Sequence, residues 1–207
     1  KDEKKLPSFN AGMRGAKNTP YDGGTRVPSF WYWKGVLGKG VDIDGLTAHI
    51  DLYKTFCELA GAAIPESKLP PHGRSLLPLL ENPEAKWANR KIFVNCGRWN
   101  PGERDASKYY KNSVRTQRWR WAEDGDLYDL ANDPGEKRNV AAEHPEVAKE
   151  LRAAYDQWWK STIPFQVNED LPRTPPGKYP LQLRYNKQLK ERGIPEWAPV
   201  LRRSKQP

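Results

Sequence analysis

The sequence predicts an α/β chain that ends in a small antiparallel sheet packed against a helix. Three observations carry the prediction. A short apolar and aromatic run, Val27 to Trp33, follows a double glycine, and two stretches place apolar residues at helical spacing. Between them, three segments alternate β-branched or aromatic residues with polar ones in the manner of strands.

Taken in order, VPSFWYW (27–33) is a short apolar and aromatic run without alternation, which suits a strand buried on both faces of a central sheet. DIDGLTAHIDLYKTFCELAG then lines up Leu46, Ile50, Tyr53, Phe56, Cys57 and Ala60 as the inner face of a helix, with Gly61 as its C-terminal cap and Pro65 beyond. SKLPPHGRSLLPLLENP is broken by prolines and reads as a connection with one helical turn over Ser75–Leu80. RKIFVNCGRW (90–99), SVRTQRWRWA (113–122) and DLYDL (126–130) form the strands, the last two joined at Glu123-Asp124-Gly125. EHPEVAKELRAAYDQWWKSTIP has Pro145 near its first helical position and stacks Val147, Leu151, Ala154, Tyr155, Trp158 and Trp159 on one face. Eight of the 19 prolines fall after residue 163, so the tail is expected to be extended and held by Tyr179, Tyr185 and Trp197.

The chain has 207 residues and nine tryptophans, enough to fill a core. It has no apolar run of the roughly 20 residues needed to span a bilayer. The start, KDEKKLPSFNAG, lacks the apolar stretch of a secretory signal; either the protein is cytosolic or the chain begins after residues that have been removed. The net charge of +9 invites a nucleic-acid reading, but residues 164–207 hold nine Lys and Arg against four Asp and Glu. Over half of the excess therefore sits in a tail, which reads as a solvated extension and not a nucleic-acid surface. Cys57 and Cys96 have no CxxC spacing and are expected to be free, buried thiols.

Motifs for a serine hydrolase, a zinc peptidase and a phosphate loop are all absent, and GVLGKG reads as a solvent turn. His49, His72 and His144 have no second His or Cys at metal-ligand spacing. His144 suits a helix cap and His49 a packed or capping role. DGDLYDLANDPGEKRN lacks the ligand order of a calcium loop and is better explained as turn chemistry around Asp133-Pro134-Gly135. KNTPYDGGTRVP (17–28) is harder to dismiss. Gly23 and Gly24 allow close approach of a ligand or another segment, Asp22 and Arg26 can pair across the turn, and Lys17 projects just ahead. Its ammonium suits an oxyanion; a solvated lysine is the bland alternative.

GMRGAKNTPYDGGTRVPSFWYW resembles the lysine-bearing segment of the type I sulfatases, in the alkaline phosphatase superfamily, whose pattern is roughly G-K-x-T-x-[YW]-[ED]-G-G-x-R-V-P. In the same order, AHIDLYKTFCELAG resembles the family's Asp-Leu-x-Pro-Thr helix and HGRSLLPLL its Gly-x-Ser-Leu-x-Pro-Leu-Leu connection. SVRTQRWRW and LYDLANDPGEKRNVA resemble its C-terminal sheet. The resemblance implies hydrolysis of sulfate esters by a formylglycine, made from the cysteine of C-x-P-S-R, beside a calcium ion. Neither Cys57 nor Cys96 lies in such a motif, and the family's last calcium-binding Asp-Asn pair precedes the lysine segment. The resemblance thus implies a C-terminal portion that supplies neither nucleophile nor metal ligands and works with an N-terminal part of the same enzyme.

By the resemblance, Lys17 contacts the sulfate, and Asp22, Gly23, Gly24 and Arg26 support its loop, with an Asp22–Arg26 interaction expected. Arg98 and Trp99 either border the pocket, against a sugar or aryl group, or form a packed strand end. Three positions depart from the pattern: Ala16 stands for glycine, Lys54 for proline and His72 for aspartate. The implied organisation is the end of a large α/β domain (1–85), a subdomain of sheet and helix (86–163) and a Pro-rich basic tail (164–207). Two rivals remain: a non-catalytic module binding a polyanion or sulfated glycan, and a phosphate-ester hydrolase of the same superfamily. The resemblance is compatible with a periplasmic or extracellular location.

Overall fold

The computed structural model describes residues 9–67, 71–97, 99–100, 102–166 and 179–193. It divides into two compact units, residues 1–166 and 167–207. In the first, α1 (Asp22–Thr25), α2 (Asp51–Leu59) and α3 (Leu77–Glu81) precede β1 (Ile92–Val94), β2 (Ser113–Arg115), β3 (Trp119–Ala122) and β4 (Asp126–Asp129), and α4 (Pro145–Gln166) follows. The second contains α5 (Pro180–Arg192).

The four strands form an antiparallel meander in the order β1-β2-β3-β4. Its register places Phe93, Val114, Trp121 and Leu127 in one row across the sheet. Because side chains alternate between faces, this row points one way and Arg115, Arg120 and Tyr128 point the other. The first face meets Leu151, Tyr155 and Trp159 of α4, one helical turn apart from each other, in the main core. Full burial of each such side chain contributes about 1.5–3 kcal/mol. Phe93 stacks on Trp158 at 5.2 Å, and the Tyr155 hydroxyl donates to the Lys108 carbonyl at 2.6 Å. The second face is also covered: Tyr21 packs there with Ala122, Tyr128 and Leu130.

The chain departs from its sequence reading in four places. Residues 27–33 form no strand, and Val27, Phe30 and Tyr32 are exposed, because no neighbouring strand pairs with them. The stretch 113–122 is two strands, not one. Thr116 closes the hairpin between them: its amide donates to the Trp119 carbonyl at 2.8 Å, and its hydroxyl accepts from the Trp119 amide at 2.9 Å. At the next turn, residues 123–125 lie between the paired Ala122 and Asp126, and Glu123 and Asp124 both take positive φ (49° and 63°). Residues 180–192 are helical rather than extended, with Tyr179 and Tyr185 about half exposed; Trp197 lies outside the described residues.

The fourth departure is α2, which starts at Asp51 and turns its polar side inward. Asp51 and Thr55 are its buried residues, whereas Ile50, Tyr53 and Phe56 are 37%, 47% and 53% exposed. The reason is a set of long-range partners. Asp51 accepts from the Ala48 and Arg74 amides, each at 2.8 Å, and pairs through both oxygens with Arg90 at 2.8 and 2.9 Å. The Thr55 hydroxyl accepts from the Leu76 amide at 2.9 Å. Gly73 passes so close that an added Cβ would lie 2.0 Å from the Ile50 carbonyl oxygen. Buried polar groups require such partners, and here they outweigh the apolar periodicity.

Candidate functional site

Lys17 lies on a tight turn. The Thr19 amide donates to the Ala16 carbonyl at 3.0 Å, and the Thr19 hydroxyl donates to the same carbonyl at 2.7 Å while accepting from the Ala16 amide at 3.1 Å. On the upstream side, Asn10 donates through Nδ2 to the Met13 and Gly15 carbonyls at 2.7 and 2.6 Å. Lys17 itself is exposed, and among the described residues no carboxylate pairs with its ammonium.

Gly23 and Gly24 lie directly behind this turn. A Cβ on Gly23 would meet the Arg14 and Gly15 carbonyl oxygens at 2.6 and 2.5 Å, and one on Gly24 those of Thr19 and Ala16 at 2.3 and 2.5 Å. Absence of a side chain, not an unusual φ, is what these positions need. The Gly23 amide also donates to the Arg14 carbonyl at 2.8 Å.

Asp22 is buried, but its partner is not Arg26. Arg26 is exposed and reaches Asp22 only through the helical bond from its amide to the Asp22 carbonyl, 2.8 Å. The Asp22 carboxylate instead pairs with Arg120, which is 1% exposed on β3, and lies 3.8 Å from Arg115 Nε. The nearest cation in sequence lost to one 98 residues away because β3 points it at the buried oxygen.

Arg120 is the hub of this buried site. Its Nη1 donates to the Pro20 carbonyl and to Ser113 Oγ (3.3 Å), its Nη2 to Asp22, and its Nε lies 2.5 Å from Glu136 Oε1. Glu136 is fully buried and accepts the Asp22 amide at 2.9 Å; burial pushes its carboxyl up, with Arg120 opposing. Arg14 closes the network. It lies over the Tyr21 ring at 3.9 Å and donates to the Tyr128 hydroxyl, to Tyr21 Oη at 3.1 Å and to the Glu136 carbonyl at 3.1 Å. Burial and a hydrogen bond to Asp126 push the Tyr128 phenol up to about 12. Burial and a bond to Glu123 raise Tyr21 as well.

The segment 95–99 reaches the lysine turn through Cys96, whose thiol donates to Asn18 Oδ1 at 3.3 Å. Both Cys57 and Cys96 are free and half-buried. Trp99 sets its ring edge-on to Trp159 at 5.8 Å and also lines an open groove with Asn100, Glu103, Ser107 and Tyr110. Arg98 lies outside the described residues. His144 packs against Trp119 at 4.9 Å with the rings tilted by 57°, and its carbonyl accepts from the Ala148 amide at α4's start. Asp133 accepts the Lys137 and Arg138 amides at 2.6 and 2.8 Å, a turn as its sequence implies.

Among the described residues, no group of three or more His, Cys, Asp or Glu side chains converges to hold a metal ion. The calcium implied by the resemblance therefore has no fit among them. No helix among the described residues is long and apolar enough to cross a membrane.

Residues 16–160 match the family described as N-sulphoglucosamine sulphohydrolase, C-terminal, so the chain belongs to the sulfatases, as their C-terminal part. It is 35% identical to human (Homo sapiens) steryl-sulfatase over 98 residues, covering 44% of this chain and 17% of that protein. It is 31% identical to an N-acetylgalactosamine-6-O-sulfatase of Bacteroides thetaiotaomicron over 149 residues, covering 67% of this chain and 28% of that one. The chain thus spans a sixth to under a third of these relatives. A solved Bacteroides thetaiotaomicron protein, described in connection with metabolism of multiple glycosaminoglycans, shares the fold at a TM-score of 0.58 and 24% identity, covering 72% of this chain and 32% of that one.

Proposed function

We propose that this chain is the lysine-bearing portion of a sulfuric ester hydrolase, with Lys17 contacting the sulfate of a sulfated small molecule or glycan. The observation that carries the reading is the Lys17 turn: an exposed ammonium without an ion-pair partner among the described residues, on a backbone fixed by Thr19 and backed by Gly23 and Gly24. Three N–H donors on one cation neutralise charge on the sulfonate oxygens and the departing ester oxygen as it develops. Asp22, Gly23 and Gly24 hold the turn in place. Arg26 is the exposed neighbour, and Trp99, which lines the open groove of the adjoining segment, is assigned to the border of the substrate. Calcium and the formylglycine nucleophile are assigned to parts of the intact enzyme outside these 207 residues.

The test is Lys17→Ala in the full-length protein, assayed for sulfate release from an aryl sulfate and a sulfated sugar, with phosphate esters as controls. The expected result is a fall in kcat/KM of about 100- to 1000-fold on the sulfate ester, the scale of removing one preorganised charge donor. Unchanged turnover, or preference for phosphate esters, rejects the reading.

A further inference from the structure

The turn that carries Lys17 is anchored at both ends on one sheet face. Three residues upstream, Arg14 is clamped to Tyr21, Tyr128 and the Glu136 backbone. Three residues downstream, the Pro20 carbonyl accepts from Arg120 and from Ser113 Oγ at 3.0 Å, and two residues further the Asp22 amide and carboxylate are both held. Apart from Tyr21, these anchors come from residues 113–136, and Arg120, Ser113 and Glu136 are each at most 1% exposed.

We infer that Arg120 and Glu136 are positioning residues for catalysis: they set the Lys17 turn without touching substrate. The inference rests on the reading of Lys17 given above. Glu136 is the critical member, since its two oxygens join the Asp22 amide to the Arg120 guanidinium. Replacement by the isosteric amide keeps the volume and one acceptor but removes the charge facing Arg120. Removing one partner of a buried ion pair leaves the other charge less compensated, so the link between turn and sheet loosens. Ser113→Ala removes the hydroxyl that donates to Pro20 and accepts from Arg120 at 3.3 Å, leaves every charge in place, and is the milder probe.

The experiment uses the full-length protein and two readouts. Hydrogen exchange at the Ala16, Thr19 and Gly23 amides reads the anchoring itself, and activity on a sulfate ester is measured for Glu136→Gln and Ser113→Ala, each with Lys17 present and with Lys17→Ala. Misplacement of about 1 Å in a charged contact can cost up to 100-fold, so Glu136→Gln is expected to lower kcat about tenfold, with KM changing less. In the Lys17→Ala background the same substitution is expected to change kcat less than about twofold, because a missing side chain cannot be misplaced. Ser113→Ala follows the same pattern at smaller size and keeps the question answerable if Glu136→Gln does not fold. Equal losses in both backgrounds, or unchanged exchange in the turn, overturn the inference. Faster exchange together with a fully active Lys17→Ala enzyme instead removes the catalytic role of Lys17 and leaves only the anchoring.

Discussion

A single methyl group at Gly24 would fall 2.3 Å from the Thr19 carbonyl oxygen and 2.5 Å from that of Ala16, both rigid backbone atoms. Gly24→Ala is therefore expected to cost about 1–3 kcal/mol, the range for overpacking, and to lower the melting temperature measured by calorimetry. An unchanged melting temperature would mean the turn yields freely. Asp129 makes a prediction in pH. The Arg118 guanidinium, bonded at 3.0 and 2.7 Å, overcomes desolvation and, with Asn132 and the Ala131 amide, holds its carboxyl down to about 2. A carboxyl depressed by folding stabilises the native state above its unfolded value, near 3.9, and loses that contribution as pH falls through the folded value. Stability of the native chain should thus drop between about pH 4 and pH 2, and Asp129→Asn should flatten that part of the denaturant-midpoint profile. A profile unaltered by the substitution would contradict the assignment.

Helix α2 owes its orientation to charge pairing rather than to hydrophobicity. Asp51 and Arg90 are 0% and 5% exposed in their side chains, so Asp51→Ala strands a buried guanidinium and is expected to destabilise by about 3–5 kcal/mol in urea titration. A loss below 1 kcal/mol would show the pair to be dispensable. Such pairs also explain which elements can be read from sequence. For α4 the apolar spacing and the observed core agree, because Leu151, Tyr155 and Trp159 all meet one sheet face. In α2 the same spacing points the wrong way, since the groups that bury Asp51 and Thr55 stand 21 to 39 residues downstream. The β2–β3 hairpin escapes notice because Thr116 does the work usually signalled by Gly or Asn. Lys17 and its glycines are visible as a motif; Arg120 and Glu136 are not, as alternation alone would leave Arg120 on the wet side of β3.

Over the first unit, the sheet is lined on both sides while the region around α2 is left open. Val27, Phe30, Tyr32, Trp33 and Phe56 are all at least half exposed, and Trp31 reaches Phe56 at 6.0 Å, which joins the 27–33 run to the α2 surface. Contiguous apolar surface of this kind favours association. The isolated 207-residue chain is expected to bind an apolar dye and to self-associate in light scattering; a monodisperse monomer with no dye uptake would count against this. The anchoring of the Lys17 turn also has a consequence in time. Asp22 and Arg120 are 98 residues apart in the chain, and Glu136 lies further on. At roughly 5–20 residues per second, the ribosome delivers Arg120 about 5–20 seconds after Asp22. Throughout that interval the nascent turn has its glycines and its threonine but not its partners on the sheet, so a loop that is made early is fixed in place late.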